Sequence, residues 1–197
     1  MLVVPADSPI QTVQDLVARA RAQPGALNYG SGGNGSPAHL VAEAFCQASG
    51  TKMTHVPFKG PAEAVSALLG NQISAMFATV PAAAALARGG KLRAIAVTSP
   101  QRLAALPQVP TLAEAGVRGF EMSTWYALYV TAGTPPDVQR RLQTELARVL
   151  QLPDVQTRLR ALGGEPGGMS TEQFAQYNRQ EFDNFGQLIK RANIKME

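Results

Sequence analysis

Between Leu27 and Leu40 the chain reads LNYGSGGNGSPAHL: a short β-like run, then small residues, then a helix start. Glycines at 30, 32, 33 and 35 put no Cβ between the backbone and whatever lies before that helix. Ser36-Pro37 is a strong helix entry, because a Ser hydroxyl accepts from orphan backbone N–H groups and Pro at the first helical position sacrifices no hydrogen bond. Unpaired N–H groups and the positive end of the helix dipole favour an anion at such a place. Ser31, Gly32, Gly33, Asn34, Gly35 and Ser36 are therefore expected to cradle a carboxylate or phosphate. A tight strand-to-helix turn with no ligand is the plainer alternative.

Two sharper motifs overlap this loop, and both are incomplete. Gly30, Gly32 and Gly35 satisfy GxGxxG between a strand and a helix, the dinucleotide fingerprint, which would make the chain a nucleotide- or dinucleotide-binding α/β enzyme. That site wants an acidic residue at the end of the next strand to hold the ribose, and here MTHVPF is followed by Lys59. A phosphate-binding P-loop needs Lys before its final Ser, where this chain has Gly35. For chemistry beyond binding, the candidates are His39, His55 and Cys46. Cys46 falls about two helical turns beyond His39, too far for direct activation of a nucleophile, and His55 alternates with apolar Met53, so that it points inward or lies at a sheet edge. No HExxH-type spacing occurs. No catalysis, metal or cofactor is expected.

Composition narrows the class further. The 197 residues suffice for one large core or two small ones. A net charge of +4 is mild, and the basic residues are scattered without interleaved aromatics, which argues against a nucleic-acid partner. No apolar run approaches the roughly 20 residues that span a bilayer. The opening MLVVPADSPI lacks a basic region followed by a signal-type apolar core. A single cysteine excludes an internal disulfide, and Cys46 reads as a small packed residue rather than a reactive one.

The elements that must position the loop follow from periodicity. Leu2 to Pro5 reads as a strand. Ser8 or Thr12 opens a helix through Ala22, with Val13, Leu16, Val17 and Ala20 on one face. The helix after the loop runs to about Ser49, burying Leu40, Val41, Ala44, Phe45 and Ala48 and turning Glu43 and Gln47 outward. Strands are expected at Met53–Phe58, Ile73–Thr79 and Leu92–Thr98, separated by helices opened by Pro61 and Pro81. Single helices between strands imply a mainly parallel sheet whose ligands bind beyond the carboxyl ends, where Gly30, Lys59 and Thr79 fall. Pro100 to Gly119 is Pro-rich loop with a short helix at Thr111–Ala115. Trp125–Ala132 reads as a long aromatic strand. Helices then dominate: Pro135–Leu150 with Val138, Leu142, Leu146 and Val149 inward, Pro153–Leu162, and Thr171 to about Ala192 with Phe174, Tyr177, Phe182, Phe185 and Ile189 on one face.

Laid out this way, the chain closely resembles the tripartite tricarboxylate transporter solute-binding receptors, the Bug receptors. The likeness is carried by LVVPADSPIQTVQDLVARARAQPGALNYGSGGNGSPAHL, HVPFKGPAEAVSALLGNQISAMF, KLRAIAVTS, LPQVPTLAEAG, STWYALYVTAGTP and the closing LGGEP and STEQFAQY, in this order. The resemblance implies an α/β, periplasmic binding protein type II-like fold: one nearly complete α/β lobe at residues 1–125, the second of the family's two lobes, and at 126–197 the mostly helical C-terminal part of the first. It implies a receptor, not an enzyme, that delivers a small di- or tricarboxylate to a membrane permease from the periplasm. It implies, too, an upstream stretch bearing a signal peptide, the first strands of the first lobe and the opposite wall of the cleft.

Ligand contacts implied by the resemblance are Ser31 to Ser36, His39, Lys59, Ala78, Thr79 and Thr124. His39 has an alternative as a helix-face residue bonding to the neighbouring loop, and Lys59 as a solvated side chain. Ala78 and Thr79 depart from a frequent Asp-Asn of the family; loss of that acid disfavours an amino-bearing ligand. Ser123, Thr124 and Trp125 stand where the chain crosses back, as hinge, ligand contact or core. With one lobe incomplete, weak carboxylate binding is expected, and the helices bearing Leu142, Leu146, Phe174 and Phe182 would lack part of the sheet they cover, which favours self-association into a homo-oligomer. An effector-sensing module on the same fold rests on fold analogy alone.

Overall fold

In the computed structural model, which describes residues 1–120, 122 and 124–194, the opening run LVVP is strand β1, Leu2–Pro5, buried at every position. Its alternation is what a strand covered on both faces requires. Leu2 and Val4 enter one core with Leu16, Phe45 and Phe77, and Val3 enters the other with Leu68, Met76 and Ala83. The chain then alternates through α1 (Val13–Ala22), β2 (Asn28–Ser31), α2 (Pro37–Ser49), β3 (Thr54–Pro57), α3 (Pro61–Leu69), β4 (Ala75–Phe77), α4 (Val80–Arg88) and β5 (Leu92–Ala96). Helices α1 and α2 supply the first core, and α3 and α4 the second.

The five strands lie in the order β3-β2-β4-β1-β5. β2 pairs in parallel with β3 and with β4, as expected. β1 is the exception to the parallel reading, antiparallel to both β4 and β5. It enters at the edge where the others end, Leu2 facing Phe77 and Ala96, and leaves where β5 begins, Pro5 facing Leu92. Apolar residues at every position specify that a strand is covered on both faces, not which way it runs, so LVVP carried no sign of its direction.

Local chemistry explains the boundaries. Of the two candidate starts for α1, Thr12 is the cap: its Oγ1 accepts from Asp15 N–H, and the Asp15 carboxylate accepts from Thr12 N–H, a complete capping box. Ser8 instead takes Ile10 N–H, making a turn. Gly50 ends α2 in the left-handed conformation at φ 61°. The buried stripe of α2 is rotated from the expected one: His39, Val41, Ala42, Phe45, Cys46 and Ser49 are buried, whereas Leu40, Ala44 and Ala48 are partly exposed. Glu43 does not face outward into water alone; it takes a hydrogen bond from Tyr29.

Three further expectations are corrected. β5 ends at Ala96 rather than Thr98, because Val97 N–H turns to Pro110 O at 2.8 Å and Val97 O takes Leu112 N–H at 3.0 Å. Residues 111–115 form hydrogen-bonded turns rather than a helix. Thr111 and Glu114 cap one another there as in a helix start, but Gly116, at φ 89°, reverses the chain before a turn can propagate. Residues 125–132 form no strand.

The chain divides into two compact units, Met1–Ser123 with Leu188–Glu197, and Thr124–Gln187. In the second, side chains rather than a ladder hold the aromatic segment. Trp125 meets the edges of Phe174 and Tyr177 at centroid distances of 5.8 and 5.7 Å and donates from Nε1 to Glu181 at 3.0 Å. Tyr129 Oη donates to Asn178 at 2.8 Å. The helices here are α5 (Pro136–Leu150), α6 (Pro153–Ala161) and most of α7 (Thr171–Arg191), and none has a buried residue. The expected inward stripe of α5 is open, with Leu142 and Leu146 each 40% exposed, and Phe182 of α7 is 78% exposed. A helix stripe is buried only against a second layer, and no described strand belongs to this unit.

Candidate functional site

The carboxyl ends of β2, β3 and β4 lie on one edge of the sheet, and the segments that leave them are Gly32–Ser36, Phe58–Gly60 and Ala78–Thr79. The first is shaped by its glycines. Gly33 and Gly35 have φ of 124° and 71°, where a side chain is strained. Gly32 is tight against the neighbouring segment, since a Cβ there would stand 3.2 Å from Pro61 N and 3.3 Å from Gly60 C.

Ser31 is fully buried, and its Oγ takes Gly33 N–H at 3.2 Å and lies 2.9 Å from Gly33 O. Ser36 N–H bonds to Gly33 O at 3.2 Å. Gly35 N–H goes to Nδ1 of His39 at 3.1 Å, so His39 is a helix-face residue bonding to the neighbouring loop. Among the described residues, the N–H groups of Asn34 and of Ala38 and His39 in the first turn of α2 have no hydrogen-bonded partner. Ser36 departs from the expected cap: it stands at the cap position, yet its Oγ takes no hydrogen bond from the helix and is buried without a partner. Pro37 contributes no N–H, and the hydroxyl is turned from the two that follow.

The other candidates vary in setting. Lys59 is exposed, with its N–H held by the Glu63 carboxylate at 2.9 Å. Ala78 is buried, and both its backbone groups pair with Met1, continuing the β1–β4 ladder. Thr79 is exposed and caps α4 through its carbonyl, which takes the N–H groups of Ala82 and Ala83. Thr124 is exposed and belongs to the second unit. Ser123 lies outside the described residues.

The sequence reading did not assemble the ring cluster behind the loop. His55 stands opposite Tyr29 in the β2–β3 register. Its ring stacks on Tyr29 at 5.0 Å and on His39 at 3.7 Å, and its Nε2 lies 2.6 Å from Ser31 Oγ. Burial, then the neighbouring His39, lowers His55 to about 4; burial also lowers His39, against the opposing pull of Glu43. Burial, together with the bond to Glu43, raises the Tyr29 phenol. Cys46, 6% exposed, is pushed up to about 11, chiefly by burial. The signal for the cluster was the equal offset of Tyr29 and His55 from the starts of two adjacent parallel strands, which is informative only once their pairing is known.

What this arrangement offers is backbone N–H groups and a helix dipole, with Lys59 on the adjoining segment, chemistry for holding an anion rather than for bond cleavage. Among the described residues, no group of three or more His, Cys, Asp or Glu could hold a metal ion, and no helix is long and apolar enough to cross a membrane.

Fold and loop position together define an α/β lobe of the periplasmic binding protein kind. Residues 1–194 match the model of TctC, the tripartite tricarboxylate transporter family receptor, and the chain belongs to that family, one of transport receptors rather than enzymes. A curated relative, the "UPF0065 protein in gbd 5'region" of Cupriavidus necator, is 37% identical over 193 residues, 98% of this chain and 58% of that protein. Among solved structures, "R. palustris Rpa4515 with adipate" superposes with a TM-score of 0.89 at 34% identity, covering 98% of this chain and 65% of that one. "MatC (Rpa3494) from Rhodopseudomonas palustris with bound malate" gives 0.83 at 26% identity, with 96% and 65% covered. The chain thus spans under three fifths of the length of the curated relative and about two thirds of the solved chains.

Proposed function

We propose that this chain is the ligand-holding part of a solute receptor that takes a small di- or tricarboxylate and delivers it, in the periplasm, to the permease of a tripartite tricarboxylate transporter. Residues 1–125 would be the receptor's second lobe and 126–197 part of its first. The observation that carries the reading is the loop from Ser31 to His39, where glycine geometry leaves the Asn34, Ala38 and His39 N–H groups unpaired at the start of a 13-residue helix. Gly32 to Ser36 and His39 would form the cradle with Ser31 behind it, Lys59 would supply a cation for a second carboxylate, and Thr79 would complete the contacts from the end of β4, where Ala78 is buried in the β1–β4 ladder. Adipate and malate in two structurally similar relatives support a dicarboxylate.

The dinucleotide alternative is weaker. Gly30, its first glycine, is packed by Ile73, Phe58 and Ala64, and Lys59 stands where a ribose-binding acid is needed. The open apolar face of α5 and the exposed Tyr126 and Leu128 support self-association, which light scattering would read.

Calorimetric titration with adipate, malate, citrate, aspartate and NAD tests the reading. Carboxylates should bind and shift the Asn34, Gly35 and Ala38 amide resonances, with aspartate weaker than malate. NAD binding with no carboxylate response would transfer the assignment to the nucleotide class.

A further inference from the structure

The glycine loop has almost no side chains of its own with which to hold a shape, and two imidazoles behind it do that work. Ser31, which anchors the loop's start, touches Nε2 of His55 at 2.6 Å, while Nδ1 of His39 takes Gly35 N–H at 3.1 Å from the loop's far side. The two rings are stacked at 3.7 Å and 18° to one another, and the Tyr29 ring lies beside the pair, 5.0 Å from His55 and 6.2 Å from His39. An Nδ1 that accepts a hydrogen bond carries no proton, so His39 is neutral with its hydrogen on Nε2. Protonation would turn that acceptor into a donor facing an N–H, and two charged rings at stacking distance would repel.

We propose that His39 and His55 are positioning residues that set the glycine loop jointly, and that protonation of His39 releases the Gly35 end and with it the anion cradle. The consequence for binding rests on the proposed carboxylate site; the positioning role does not. It has an unusual sign. An imidazolium touching a carboxylate would strengthen binding as pH falls, whereas an imidazole that must stay neutral to shape the loop weakens it.

The charged and titratable groups around His39 come from several elements. Glu43, on the same helix, favours protonated His39, but its carboxylate is engaged by Tyr29 of β2 at 2.5 Å. From β3 comes His55, which opposes a second charge. Cys46 of α2 is a buried thiol. Strand β4, packed on the same helix, brings only Ala75, Met76 and Phe77. Arg21 of α1 donates to Ser49 O at the opposite end of α2. In the segment beside Gly32, Glu63 takes Lys59 N–H.

The test is nuclear magnetic resonance on the whole chain from pH 7.5 to 4.5, following the His39 ring nitrogens and exchange of the Gly35 amide. The expected spectra show His39 with hydrogen on Nε2 at pH 7.5. Gly35 protection, corrected for intrinsic rate, should fall roughly tenfold in step with His39 titration, as loss of one hydrogen bond implies. His39→Asn, whose Oδ1 replaces the Nδ1 acceptor, should keep Gly35 protected throughout; His39→Ala should lose protection at every pH. His55→Gln, which retains a polar group near Nε2, should behave as the parent. An Nδ1-protonated tautomer at pH 7.5, or a Gly35 amide indifferent to His39 titration, overturns the proposal. Adipate titration supplies the second arm: affinity should fall with His39 protonation in the parent and stay level in His39→Asn. Rising affinity makes His39 a direct contact and overturns it as well. Intact resonance behaviour without adipate binding supports the positioning role and counts against the carboxylate site alone.

Discussion

Tyr29 Oη lies 2.5 Å from Oε1 of Glu43, joining β2 to α2 through a tyrosine that is 99% removed from solvent. The phenol donates and the carboxylate accepts, a charge-assisted bond. Tyr29→Phe should cost about 1.5 kcal/mol in urea unfolding, less than a fully buried charged pair, because the half-exposed Glu43 recovers water. Glu43→Ala leaves the buried hydroxyl unpaired and should cost about 1–3 kcal/mol. Addition of the two single effects in the double variant would show that the contact contributes nothing. By absorbance, Tyr29 should be the last of the four tyrosines to ionise.

The two helix starts should respond oppositely to loss of a hydroxyl. Thr12→Ala dismantles a complete capping box and should cost ~1 kcal/mol. Ser36→Ala removes an oxygen that is buried and unpartnered, and should leave stability within about 0.5 kcal/mol of the parent or raise it. Equal losses at both positions would mean that Ser36 caps α2 in solution.

Acid should destabilise the chain before its carboxylates titrate. His55 falls from an ordinary 6.5 to about 4 on folding, so the unfolded chain binds the proton first. Stability from this group is complete above pH 6.5, declines as pH falls through the interval, and is gone below about 4. With the ring partly exposed, solvent screening leaves a loss of ~1 kcal/mol. The capping carboxylates Asp15 and Glu114 are lowered instead by their backbone hydrogen bonds, so their contributions fade below the histidine window. Unfolding midpoints at pH 7 and 5 should differ in the parent, and the difference should narrow in His55→Gln, where burial of His39 and of the Met1 amine still favours protonation of the unfolded chain.

Cys46, buried and with its thiol held near 11, should resist alkylation at pH 8 until urea unfolds the chain. Fast native-state labelling would place it in an accessible, activated setting.

The loop's glycines differ in kind. Gly30→Ala puts a Cβ against the Ile73 side chain and within 3.3 Å of the Phe58 ring, and should cost about 1–3 kcal/mol in stability through overpacking. Gly35→Ala meets its cost in the backbone, about 1–2 kcal/mol for a left-handed residue. It should also reduce carboxylate binding, because the Gly35 N–H would no longer meet His39. Gly90→Ala, at φ 69° in open space, gives the backbone cost without the site.

Sequence alone determined the elements whose signals are local. Thr12 with Asp15 three residues on, Pro37 and Pro61 at helix starts, and Gly50 in the left-handed region each set a boundary from within a few residues, so those helices were legible. The glycine loop was legible for the same reason, since glycine tolerates the positive φ found at Gly33 and Gly35 without a Cβ clash. Tertiary structure alone decided what depends on partners distant in sequence. The direction of β1 is set by β4 and β5, more than seventy residues on. WYALYVTA has the composition of a strand but no described strand to pair with, and the rings of Trp125 and Tyr129 lie on α7 instead. The stacking of His39 on His55 required α2 to pack over the β2–β3 pair, which brings together two imidazoles that periodicity assigned to separate elements. Propensity and capping act through covalent neighbours; pairing, burial and ring stacking act through space, and only the folded chain brings those residues within reach.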